Sequence, residues 1–75
     1  MEMNDGYQEL ANAIVAAAAK DYMRAKKRLI KHPKNEDALR QVEECTRFFH
    51  SSWYKMLTKI DGDVLIKKLD KAVTA

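Results

Sequence analysis

The chain has 75 residues, 47% hydrophobic and 33% charged, with a formal net charge of +3. That is one domain at most, too apolar for a disordered tail and too charged for a chain embedded in a membrane. One cysteine, Cys45, and two histidines, His32 and His50, exclude an internal disulfide and fall short of a structural zinc set. A core of this size supplies only about 3–5 kcal/mol, so self-association is the staple left to the chain. The longest apolar run, Ala13–Ala19, is seven residues. A spanning helix needs about 20. The first residues are acidic and lack the basic stretch of a signal peptide. The expectation is a cytoplasmic protein with a reduced thiol, no membrane partner and no cofactor.

Residues 7–31 hold no proline or glycine and are rich in alanine, leucine, lysine and arginine, all strong helix formers. Tyr7, Ala11, Ile14, Ala18, Tyr22, Ala25 and Leu29 recur at spacings of three and four, which is one helical stripe. Leu10, Val15, Ala19, Met23 and Ile30 widen it. Asp5 is the expected cap. The run Ala16–Ala19 suits close approach of another helix or of a second copy. Pro33 disfavours helical backbone at His32, so the helix ends there.

Asn35 caps a second helix over 36–50, with Glu36 and Asp37 where the helix dipole favours acids. Its inward stripe is Ala38, Val42, Cys45 and Phe49, with Leu39 alongside. Arg40–Glu44 and Glu43–Arg47 are spaced as i,i+4 pairs. Ser51-Ser52 interrupts the pattern and caps a short third helix, 52–59. Asp61-Gly62-Asp63 is a turn and a cap for a fourth, 62–73, with Leu65, Leu69, Ala72 and Val73 on one face. The fold class is all-α: a long first helix packed antiparallel on the second, closed by two short helices, with no division into domains.

Catalytic constellations are weak. Cys45 and His50 lie five apart and project away from each other on a helix, so no nucleophile–base pair forms. Asp61 and Asp63 lack the further oxygen ligands of a calcium loop. The expectation is a protein that is not an enzyme. The strongest signal is charge: Lys20–Lys34 holds seven basic residues against the single acid Asp21. Lys20, Arg24, Lys27, Arg28 and Lys31 recur at helical spacing as a ridge that can attract phosphates. A solvated face explains the same residues. Segment 53–72, with Lys67, Lys68 and Lys71, has the layout of a helix-turn-helix but lacks base-reading arginine, asparagine or glutamine. The aromatics Phe48, Phe49, Trp53 and Tyr54 either fill the junction of the last three helices or leave Phe48, Trp53 or Tyr54 to anchor a partner.

From Glu43 onward, Glu44-Cys45-x-Arg47-Phe48-Phe49-x-Ser51-x-Trp53-Tyr54-x-x-Leu57-Thr58, then Asp61-Gly62-Asp63-x-Leu65-Ile66-x-x-Leu69, resembles a family of short proteins. They are encoded by prophages and mobile elements of Firmicutes. Asp21-Tyr22-x-x-Ala25 and the connector Pro33–Leu39 extend the likeness over most of the chain. The matching residues are structural, so the resemblance carries no site residues with it. It implies a small accessory protein that works by stoichiometric binding, as an inhibitor of a host defence or nucleic-acid enzyme or as a regulator of its element. The expected partners are another protein or a further copy of the chain. The alternative is a nucleic acid or a phosphate-bearing ligand on the basic ridge.

Overall fold

The structure is a computed structural model that describes residues 2–74. Its four helices are α1 (Glu2–Lys31), α2 (Glu36–Phe49), α3 (Ser52–Leu57) and α4 (Gly62–Thr74). At 1.5 Å per residue α1 is about 45 Å long. It sets the long axis of a molecule measuring 47 × 23 × 17 Å. The helix begins at Glu2, ahead of the expected start at residue 7. Asp5 therefore lies within it and does not cap it; its side chain is outside the described residues. Gly6 disfavours helix, but α1 runs through it.

Asn35 has extended backbone, and its side chain accepts a hydrogen bond from the Ala38 amide at 3.0 Å. That is the expected cap of α2. Past the turn, α2 runs antiparallel to α1. Ala38 and Gln41 line one groove with Arg24 and Arg28, while Cys45 reaches back to Ala18. The Cys45 thiol approaches the Ala18 carbonyl at 3.7 Å. Alanine at 18 leaves that carbonyl uncovered, so half of the alanine run serves close packing of α2 on α1. The other half, Ala16 and Ala17, faces solvent.

Ser51 caps α3 by accepting from the Tyr54 amide at 3.1 Å. The helix stops at Leu57, short of the expected Lys59. Thr58 adopts extended backbone, and its hydroxyl accepts from the Ile60 amide. Asp61 caps α4 by accepting from the amides of Asp63 and Val64. Helix α4 then runs alongside α1 in the same direction. Its start abuts the Phe49 backbone, Asp70 meets Tyr22, and Val73 shares a groove with Leu29 and Ile30.

Tyr22, Cys45, Phe49, Tyr54 and Leu69 form the core, with Val15, Ala18, Val42 and Leu65 packed against it. Tyr22 meets Phe49 edge-on at 5.9 Å, and Phe49 meets Tyr54 edge-on at 5.7 Å. Each such side chain contributes about 1.5–3 kcal/mol on burial, and edge-on ring pairs add about 0.5–1.5 kcal/mol. The inward stripes of α2 and α4 are placed as expected, except that Leu39 and Ala72 are exposed. On α1, Tyr7, Leu10 and Ile30 also face solvent, although they belong to the expected stripe and its second row. Neither Arg40–Glu44 nor Glu43–Arg47 forms. Arg40 pairs with Asp37 instead, at 3.2 Å, and both side chains stay in water.

Candidate functional site

A helix that buries one face leaves the opposite face free. On α1 the buried residues are Ala11, Tyr22 and Ala25. At 100° per residue, Lys20, Arg24, Lys27 and Lys31 fall on the far side and Arg28 on the flank toward α2, and all five are exposed. The ridge predicted from spacing therefore exists as one continuous basic face. Arg24 pairs with Asp21 at 3.3 Å. Among the described residues the other four make no ion pair. Lys26 sits off the ridge and half-buried, with its ammonium 3.6 Å from Asp70 and 5.5 Å from the centre of the Tyr22 ring. Towards the N-terminus the same outward face turns apolar, through Ala17, Ala13 and Leu10.

The aromatic cluster divides in a way that spacing did not foresee. Phe49 and Tyr54 are each 1% exposed and belong to the core. Tyr54 is thereby corrected from a partner-facing candidate to a buried one. Phe48 is half-buried among the rings of Phe49, Trp53 and Tyr54. Trp53 is 54% exposed, and the residue one turn on, Met56, is 72% exposed. Tyr54 and Leu57 are the buried pair of α3. Three-residue spacing puts Trp53 and Met56 on one face of the short helix and Tyr54 and Leu57 on another, but does not say which face is buried. Met56, Ile60 and Val64 join the exposed apolar surface at this end of the chain and were not among the predicted site residues.

Where α2, α3 and α4 meet, a cleft of about 550 Å³ is lined by His50, Tyr54, Lys55, Asp61 and Asp63, among others. The His50 Nε2 lies 2.6 Å from an Asp63 carboxylate oxygen, tying the end of α2 to the start of α4. Asp61 is spent on capping. The Tyr54 hydroxyl is buried without a hydrogen-bond partner among the described residues. Burial, and next the Asp61 charge, push its ionisation above the usual tyrosine range.

Cys45 and His50 do not converge. The thiol is buried against α1, accepts weakly from the Gln41 amide at 3.9 Å, and is pushed above its ordinary range by burial. His50 is exposed and engaged by Asp63. Among the described residues no group of three or more His, Cys, Asp or Glu gathers as metal ligands. No described helix is long and apolar enough to cross a membrane. Lys67, Lys68 and Lys71 are exposed on α4.

Comparison with protein-family models, with curated proteins and with solved structures finds no match for this chain.

Proposed function

We propose that this is a non-catalytic binding protein that acts by contact with another protein, further copies of itself included. The observation that carries the reading is the pair Trp53 and Met56. They stand out from a six-residue helix whose neighbouring positions, Tyr54 and Leu57, lock it to the core. Tryptophan held rigidly at a surface loses little freedom on binding, and it is enriched where binding energy concentrates. The resemblance to short mobile-element proteins supports stoichiometric binding, and an inhibitor of a host defence or nucleic-acid enzyme is the form we favour.

The test uses the tagged full chain against Trp53→Ala and Met56→Ala versions, in lysate of the producing cell, with circular dichroism as the folding control. A defined protein retained by the unaltered chain and lost by the folded variants is the expected result. A partner held equally by all three overturns the assignment to this face.

The basic ridge favours a second reading, binding of a nucleic acid or other polyanion. Its support is five exposed cations with a single ion-pairing acid among the described residues. Six to ten phosphate contacts lose about 10³–10⁵ in affinity between 50 and 200 mM salt, and five contacts lose proportionally less on a logarithmic scale. Light scattering on the eluted protein, with the 260/280 nm ratio followed across the peak, separates the readings. Nucleic-acid absorbance that high salt strips away favours the ridge. A clean protein spectrum with a discrete mass favours protein contact.

A further inference from the structure

The outward face of α1 changes character halfway along. At 100° per residue, Leu10, Ala13 and Ala17 fall within a sector of about 60°. All three are exposed, and Leu10 is 61% so. Tyr7, also exposed, and the half-buried Ile14 flank this sector on one side; Glu9 and Lys20 flank it on the other. Beyond residue 20 the face is basic. Before it, the helix carries Glu9 together with Glu2 and Asp5 in the sequence, and no lysine or arginine at all.

We propose that this face is covered by α1 of a second copy, packed antiparallel about a two-fold axis at the level of Ala13 and Ile14. The inference rests on the protein-binding reading above and names one partner for it. Two properties select a second copy in this orientation. The first is shape. A two-fold interface must complement itself. In antiparallel register Leu10 of each copy lies over the small Ala17 of the other, Ile14 meets Ile14, and Tyr7 falls beside Asp21. Leu10 thus faces a small residue, and the small Ala13 and Ala17 let the helices approach closely. The second is charge. On one flank Glu9 of each copy falls opposite Lys20 of the other, so two ion pairs form by symmetry. A parallel pair would separate Glu9 from Lys20 and lay the basic stretch against itself. The apolar part of the seam, from Tyr7 to Ala17, is only about 15 Å long. The interface therefore lies near the lower size limit of stable ones, roughly 1,200 Å² in total, and the dimer dissociates on dilution.

The experiment is sedimentation equilibrium of the full chain over a wide concentration range, with circular dichroism confirming the fold of each variant. The unaltered chain is expected to pass from monomer to dimer. Leu10→Glu, at an exposed position, weakens association about a hundredfold or more, since it sets a carboxylate in the seam of both copies. Glu9→Lys and Lys20→Glu each weaken it about tenfold, by turning two attractions into two repulsions. Mixing those two variants restores association, because each supplies the charge that the other now needs. The double variant Glu9→Lys/Lys20→Glu restores it alone.

A chain that stays monomeric at about 1 mM overturns this interface. A dimer indifferent to Leu10→Glu, or charge variants that recover no affinity on mixing, overturns it as well. The protein-binding reading is decided separately, by the Trp53 and Met56 variants, so the two can fail independently.

Discussion

Tyr22 on α1 donates its hydroxyl to Asp70 on α4 at 2.7 Å, and the two residues are 48 positions apart in sequence. The ring itself is 2% exposed and packs edge-on against Phe49. One side chain thus fills the core and also fixes the height at which α4 lies against α1. Lys26 approaches the same carboxylate from one turn further along α1. Tyr22→Phe keeps the ring and removes the bond. It is expected to cost about 1 kcal/mol, read as a lowered urea midpoint with an unchanged slope. No loss would mean that Lys26 alone holds Asp70.

Alkaline pH tests the same core from another direction. Burial, helped by the bond to Asp70 and its charge, holds the Tyr22 phenol well above its ordinary value of 10.0. Burial likewise raises Tyr54 from 10.0 and Cys45 from 9.0. In the unfolded chain these groups lose protons at their ordinary values, while in the folded chain they keep them. The unfolded state is therefore favoured once pH passes about 9 for Cys45 and about 10 for the tyrosines. The contribution of these three groups to stability is expected to be level below that point and to fall above it, followed by thermal melts at stepped alkaline pH. Tyr22→Phe should shallow the fall, because phenylalanine does not titrate.

Two glycines give opposite expectations. A methyl group at Gly62 would overlap the Phe49 carbonyl oxygen, where α4 abuts the backbone of α2. Gly62→Ala must push the helices apart, at about 1–3 kcal/mol. A methyl group at Gly6 meets nothing within 4 Å. Gly6→Ala should stabilise by about 0.5–1 kcal/mol through better helix propensity alone. Chemical denaturation of the two variants side by side checks both signs.

The short helix α3 depends on its cap. Ser51 accepts from the Tyr54 amide at 3.1 Å and donates its hydroxyl to the Phe48 carbonyl at 2.7 Å. Ser51→Ala is expected to cost about 1 kcal/mol. The loss should be local to α3, so hydrogen exchange at Tyr54–Leu57 should quicken more than exchange in α1. Equal quickening everywhere would mean that α3 opens only with the whole bundle.

The helices themselves were legible because their causes are local. Pro33 and Asn35 mark one boundary, Ser51 another, and Asp61 a third; each acts through the nearest few amides. The basic ridge was legible for the same reason, since a helix turns every residue through a fixed angle. What spacing could not give was which apolar residues of a stripe meet a partner. Leu10 and Ala11 are adjacent on α1, yet one is 61% exposed and the other 1%. Tyr54 and Trp53 are adjacent on α3, and there too one is in the core and one in solvent. Those outcomes depend on where α2 ends, how α3 turns beneath it and how closely Gly62 lets α4 approach. Such contacts join residues far apart in the chain, and hydrophobicity has no direction of its own. The sequence by itself determined the helices, their caps and the face on which charge gathers. Only the tertiary structure decided that Tyr54 is buried, that Trp53 and Met56 stand free, and that the N-terminal half of α1 keeps an apolar face uncovered.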